Sequence, residues 1–563
     1  MGKGLWYRVK VSLGLRPGRT GTMRKKLSQD SQQAARDLFA APDASAHWVS
    51  EAIELGNQAL TNLPLNPSLD DNRRDLRSIL GNSADLVFRE FRVGGENLRA
   101  LLIYVDGLED QKILSEGILR TMTLDLRKGG LPSPGASPID LVKESALAVG
   151  EVCEVGTLGE VVDLVLAGNT GLLIDGWDRA LIASVKGWSR RAIAEPEIES
   201  VVRGPREGFI ECLRTNTALI RRKIRSPNLK IEHLNIGRLT RTDVAVVYIQ
   251  GVANPKIVEE VRRRLNGIAV DGILESGYIE ELIEDCPWSP FPQINHTERP
   301  DSLAGALLEG RVAIVVDGTP FVLTVPTVFV EFMQAADDYY ERFHVAMLIR
   351  LLRWVFLNVA LLLPALYVAI LTFHQEMIPT PLLLSIAAAR EGVPFPAMVE
   401  ALIMEIFFEV LREAGVRLPR PVGQAVSIVG ALVIGESAVR AGIVSAPMII
   451  VVAMTGISSF LIPKFSAGIS IRLLRFPLLL LAGALGLFGI MIGLLIILIH
   501  LCSLRSFGIP YLAPVAPMSP GSLKDTFIRA PWWKMNRRPR LIGYWHPIRQ
   551  DPGQKPEPPG SRP

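Results

Sequence analysis

The sequence predicts an α/β soluble N-terminal region of two similar lobes, followed by an α-helical polytopic membrane domain. Three observations predict it. Residues 1–340 have ordinary soluble composition, whereas 341–500 are dominated by Leu, Ile, Val, Ala and Gly. Within the first part, a strand–glycine–helix pattern with a later Asp-Gly hairpin occurs twice. Within the second, apolar runs of spanning length flank a charged, proline-broken stretch, Leu371 to Val426.

At 563 residues the chain exceeds one ordinary domain, and its 48% apolar fraction averages two unlike parts. A net charge of +4 is small for this length and argues against a nucleic-acid partner. The short Lys/Arg clusters suit membrane lipid headgroups instead. Cys153, Cys212, Cys286 and Cys502 are far apart and form no CxxC array, as expected of a reducing, cytoplasm-facing compartment. The basic N-terminus MGKGLWYRVKVSLGLRPGRTGTMRKK lacks the apolar core of a secretory signal.

Residues 1–84 read as a basic flexible tail and helical connector, with a helix at Ala46–Leu60 and a polar connector LPLNPSLDDNRRDL. In a first lobe, 85–195, Arg99–Asp106 is a short apolar strand, Gly107 the turn and Gln111–Met122 an amphipathic helix. GGLPSPGASP (129–138) reads as a loop. Leu164–Ser184 then gives strand, Asp175-Gly176 turn, strand. The second lobe, 228–335, follows a linking helix within 196–227. VAVVYIQGVANPKIVEEV (244–261) parallels ALLIYVDGLEDQKILSEG (100–117), and LLEGRVAIVVDG (307–318) parallels VLAGNTGLLIDG (165–176). The two spacings nearly agree, which suggests duplication.

A membrane domain is expected over 340–508. Candidate spans are Val355–Phe373, Val422–Val439, Ala446–Ile462 and Phe476–Ile499, since about 20 apolar residues cross a bilayer. Pro364 kinks the first, and Gly483, Gly486, Gly489 and Gly493 allow close packing of the last. Arg350 and Arg353 place the N-terminal region inside. An even number of full spans, about four, with 381–414 re-entrant or interfacial, keeps the basic tail on that side too. The tail, 509–563, is Pro-rich. Its Trp532, Trp533, Lys534, Arg537, Arg538 and Arg540 suit an anionic inner leaflet, or a solvated tail.

The sequence carries no Walker loop, nucleophile elbow or HExxH, so neither enzymatic activity nor a cofactor or metal is expected. His374, beside Gln375-Glu376, reads as a polar helix-end turn. Glu405, Glu409 and Glu413 repeat at helical spacing, with Glu400 ahead of them and Arg412 placed to pair with Glu409. Two readings stay open. The acids lie in water along an interfacial amphipathic helix, or one or two face a water-filled path, where an oligomer would turn each into a cation-attracting ring. Glu436, inside Val422–Val439, raises the same question, because an ionisable group at that depth faces protein or water. The segment bearing His374, Glu376, Pro379, Pro381, Pro394 and Pro396 is a pore or gate candidate. Broken backbone at membrane depth lines a cavity or is buried in protein.

The runs HQEMIPTPLLLSIAAAREGVPFPAMVEALIMEI and LREAGVRLPRPVGQAVSIVGALVIGESAV resemble the A subunit of the GerA-type spore germination receptors. The likeness extends to REFRV, YVDGLED, LLIDG, IRLLRFPLLLL and HLCSLRSFGIPYL. It implies a multi-pass subunit of a nutrient receptor in the inner membrane of a bacterial endospore. It also implies a B-type transporter-like subunit and a C-type lipoprotein subunit as partners. The A subunit is implied to form a homo-oligomer with a ligand-gated path that releases monovalent cations. The alternative is a non-conducting scaffold coupling sensor to membrane.

Overall fold

The computed structural model describes residues 63–557, apart from 82, 94–97, 126–150, 188–194, 197, 418–434, 544–545 and 552. The expected basic tail, the helix at Ala46–Leu60, the 129–138 loop and most of Val422–Val439 therefore lie outside the described residues.

Helix α1 (Leu69–Leu80) opens the described chain. Ser68 caps it by accepting from the Asp71 amide, and Leu69, Leu76, Ile79 and Leu80 are buried along one face. The polar connector expected here is thus a packed element: its charges occupy the outer face and its leucines the inner one. Strands β1 (Leu86–Arg92) and β2 (Arg99–Val105) follow, then helix α2 (Ile113–Asp125), with π-type hydrogen bonding. Strand β3 (Val152–Val155) leads into α3 (Leu158–Leu166), which starts at a Thr157/Glu160 capping box. That box commits Leu164–Leu166, expected as strand, to a helix. Strands β4 (Thr170–Ile174) and β5 (Ala180–Ala183) make the Asp175-Gly176 hairpin, where Gly176 sits at φ 86°.

Helix α4 (Leu213–Lys223) precedes β6 (Leu229–Ile236) and β7 (Thr242–Ile249). Then come α5 (Pro255–Asn266), α6 (Ser276–Ile283), β8 (Asn295–Thr297), α7 (Pro300–Leu308), β9 (Val312–Val316) and β10 (Val322–Val325). The first sheet runs β1-β2-β4-β5-β3 and the second β6-β7-β9-β10-β8, both antiparallel throughout. Local bonds recur with the strand order. The Asp175 carboxylate accepts from the Leu69 amide at 3.1 Å, and the Asp317 carboxylate from the Leu213 amide at 2.9 Å. Each hairpin aspartate thereby caps the helix ahead of its sheet. Helix α4 therefore stands to the second sheet as α1 does to the first, and is more than a linker.

Strand alternation buries both sheet faces. Val244 and Val246 face a core completed by Ile257, Val258 and Val261, whereas Ala245 and Val247 meet Leu219, Ile220 and Leu303. Phe507, Ile509, Ala513 and Ile542 join the first of these cores, so parts of the C-terminal segment pack on the second sheet rather than trail into solvent. The two sheets meet at Arg221. Its guanidinium reaches Asp85 at 2.8 and 3.1 Å, Ser83 Oγ at 3.2 Å and the Ser226 and Leu229 carbonyls.

On α6, burial beside Glu284 and Glu275 pushes the Glu280 carboxyl up to about 7. A raised carboxylate pKa means that the folded state holds the proton the unfolded chain releases, so stability falls as pH climbs from 4.5 to about 7. Glu280→Gln flattens that slope; thermal unfolding of the full chain across this interval measures it, and an unchanged slope rejects it.

Candidate functional site

The helical region begins at α8 (Phe343–Phe373), and its placement is set by charge. Arg350, fully buried, pairs with Asp338 at 3.1 Å and Asp525 at 2.6 Å, and Arg353 pairs with Asp338 at 2.7 Å. The arginines expected to mark the membrane face thus tie α8 to both the second-sheet region and the C-terminal segment. After a 3₁₀ turn at Gln375–Met377 come α9 (Thr380–Arg390), α10 (Ala397–Arg417), α11 (Gly435–Arg440), α12 (Ala446–Phe460) and α13 (Phe465–Ser503).

Phe343–Phe373 and Phe465–Ser503 are long and apolar enough to cross a membrane, and Thr380–Arg390 and Ala446–Phe460 are shorter apolar helices. The 39-residue α13 is not straight. Gly486 takes φ 60°, ψ −141°, and a Cβ built at Gly493 would lie 2.4 Å from Leu478 and one at Gly489 2.1 Å from the Leu481 carbonyl. Residues so far apart in sequence touch only if the chain doubles back at Gly486. Ser470 and His500 accordingly reach the neighbouring Pro290 carbonyl and Ser289 hydroxyl, while Gly486 lies against Phe373 and His374. The single span expected at Phe476–Ile499 is therefore the turn of a helical hairpin. Its glycines are smooth enough for the arms to touch, and Gly486 tolerates the positive φ.

Helix α10 delivers the carboxylates inward. Glu400, fully buried, accepts from the Ser445 amide at 2.6 Å and from the Ser445 hydroxyl, with the Arg390 guanidinium 3.5 Å away. Glu405 meets Arg475 of α13 at 2.5 Å, both side chains 1% exposed. Glu409 pairs with Arg472 at 2.9 Å and with Arg412 at 3.6 Å. Arg412 lies between the rings of Phe408 and Phe460, 4.8 Å from each, and donates to Ser459 Oγ at 2.7 Å. Arg475 has a second partner, the Ala360 carbonyl at 3.0 Å. Pro364 has no amide with which to close the helical bond to Ala360, so α8 exposes an acceptor there and the arginine takes it.

Five charged side chains, Glu405, Glu409, Arg412, Arg472 and Arg475, thus converge between α10, α12 and α13. Glu405 Oε1, Glu409 Oε1, Arg412 Nε and Arg475 Nη2 are buried without a hydrogen-bond partner. Buried charged groups normally complete their bonds, so such a cluster has the donors and acceptors to hold water or a small ion.

The other sequence-chosen residues lie elsewhere. Glu413 is exposed and pairs with Arg417 at 2.6 Å; Glu436 is exposed and pairs with Arg440 at 2.5 Å, and the structure does not bring it to the cluster. His374 and Glu376 lie at the end of α8 nearest Gly486, His374 half-buried and Glu376 exposed. Pro379 precedes α9 and Pro381 stands in its first turn, so these prolines start a helix. Pro394 and Pro396 are exposed in the connection to α10. Among the described residues no group of three or more His, Cys, Asp or Glu is placed to hold a metal. Sequence reasoning missed Arg475, Arg472 and Arg390 as partners. Their spacing within apolar helices was the available signal.

Comparison with known proteins bears on identity. The model of the family described as Bacillus/Clostridium GerA spore germination protein matches residues 74–541. The uncharacterized membrane protein YfkQ of Bacillus subtilis (strain 168) is 50% identical over 479 residues, covering 84% of this chain and 91% of that protein. Spore germination protein KA of the same organism is 48% identical over 499 residues, covering 88% and 91%. Among solved structures, the N-terminal domain of the A subunit of the Bacillus megaterium spore germinant receptor GerK3 is 38% identical. It covers 47% of this chain and 98% of that one, with a TM-score of 0.38. With most of its length matched at this identity, the chain belongs to the GerA family of spore germination proteins, among the A subunits.

Proposed function

We propose that this chain is the A subunit of a nutrient-responsive germination receptor in the inner membrane of the endospore, partnered by B-type and C-type subunits. It crosses that membrane several times, its two sheets are duplicated lobes facing the interior, and its copies assemble around a gated path for monovalent cations. The observation that carries this reading is the Glu405–Glu409–Arg412–Arg472–Arg475 cluster: ionised groups inside an apolar helical bundle with bonds left to make. Glu400, one to two turns away on the same helix, extends the polar line toward α9. In an assembly these acids repeat around the axis, and carboxylate rings favour cations. His374, Glu376 and the prolines at 379, 381, 394 and 396 border the far end, where a gate would act.

In reconstituted receptor, Glu405→Gln with Glu409→Gln lowers cation flux at least about tenfold, because unopposed arginines repel the ion at close range. Flux is read per folded receptor, because Gln at 405 also leaves the buried Arg475 without its counter-charge. Undiminished flux at normal protein level removes both residues from the path.

A second reading has its own support. Each cluster carboxylate already faces an arginine, which leaves no unneutralised acid to attract a cation. The chain would then be a scaffold that couples a sensing subunit to the membrane. Wild-type protein that supports germination but conducts nothing in liposomes establishes that reading.

A further inference from the structure

The C-terminal segment borders a partly open cavity that neither the helical cluster nor the sheets explain. It has a volume of about 280 Å³ and is lined by Lys524, Lys534, Arg537 and Arg549, together with Glu309 and Asp525. Both acids already have cationic partners. Asp525 holds Arg350 at 2.6 Å and accepts from the Tyr339 hydroxyl at 2.8 Å. Glu309 lies 3.4 Å from Arg311 and 3.7 Å from Arg549. Lys524, Lys534 and Arg537 have no carboxylate partner among the described residues. Three cations therefore converge on a hollow whose own negative charge is already spent.

Position narrows the ligand. Trp533 stacks edge-on against Phe343, the first residue of α8, with centroids 5.6 Å apart. Trp532 lies 5.9 Å from Tyr339 and carries the Arg549 guanidinium 5.1 Å above its ring. The cavity thus opens where an apolar spanning helix begins, the level at which tryptophans and basic residues meet lipid headgroups. Its size suits a headgroup rather than a drug-sized molecule. Lysine and arginine donors pair with phosphate oxygens through charge-assisted bonds.

We propose that this cavity binds a phosphate group, held by Lys524, Lys534 and Arg537, and that an anionic phospholipid of the facing leaflet supplies it. The site anchors the C-terminal segment, and through Asp525 and Arg350 the start of α8, to the membrane surface.

The test uses the full chain, purified and delipidated in detergent, with its thermal unfolding midpoint read against added phosphatidylglycerol, phosphatidylcholine or inorganic phosphate. Phosphatidylglycerol raises the midpoint and phosphatidylcholine does not. The triple substitution Lys524→Gln, Lys534→Gln, Arg537→Gln keeps the unliganded midpoint, since all three side chains are exposed. It weakens the response to phosphatidylglycerol at least about tenfold, the worth of one lost charge-assisted bond or more. A matching response to inorganic phosphate alone, lost in the same variant, keeps the site but makes free phosphate its source. A response unaltered by the triple substitution, or none to either phosphate probe, overturns the proposal.

Discussion

Replacing Arg475 with alanine destabilises the chain by about 3–5 kcal/mol, the usual consequence of stranding one member of a buried ion pair. Two partners are stranded together. Glu405, 1% exposed, loses its counter-charge, and the Ala360 carbonyl loses the donor that substitutes for the missing amide of Pro364. The double variant Arg475→Met with Glu405→Met removes both charges and regains most of the loss, because apolar side chains of similar volume replace a buried pair at little net cost. Arg475→Lys falls between: an ammonium still meets Glu405, but lacks the fork that reaches Glu405 and Ala360 at once. Thermal unfolding in detergent ranks the three. Equal loss in the single and double variants shows that burial of the charge is not the cause.

Arg221→Met is expected to cost a similar amount, about 3–5 kcal/mol, for a different structural reason. The Arg221 side chain is 1% exposed and that of Asp85 4%, and the guanidinium also satisfies the Ser226 and Leu229 carbonyls and Ser83 Oγ. The Ala84 amide adds a bond to the Ile231 carbonyl, and Lys230 Nζ donates to the Leu80 carbonyl at 2.7 Å, so this seam joins the first sheet to β6. Removing Arg221 leaves the buried Asp85 with only Ser83 Oγ as a side-chain donor. Asp85→Asn with Arg221→Met recovers part of the loss. Urea unfolding of the full chain followed by circular dichroism measures both. A loss below that of an ordinary exposed arginine would show that the seam is held by apolar contact alone.

Some elements were legible because a local rule determines them. The Asp-Gly hairpins follow from turn chemistry, and their aspartates recur at equivalent positions in both sheets. Strand β7 is readable from its uninterrupted apolar run. Helix α1 resembles a connector in a linear reading because its charges dominate, whereas its Ser68 cap and buried leucines appear once the face is drawn. Leu164–Leu166 went to a helix because the Thr157/Glu160 box acts from outside the stretch that reads as strand.

The candidate site divides in the same way. By itself the sequence determined that acids at helical spacing stand in an apolar region, that Pro364 interrupts the first apolar helix, and which family the long motifs resemble. Periodicity and composition act along the chain, so they show there. Only the tertiary structure decided that Glu405 and Glu409 meet Arg475, Arg472 and Arg412, that Gly486 folds α13 back on itself, and that parts of the Pro-rich tail pack on the second sheet. Each of these depends on which side chain comes to lie opposite which across tens or hundreds of residues. A buried charge takes whatever partner the packing presents.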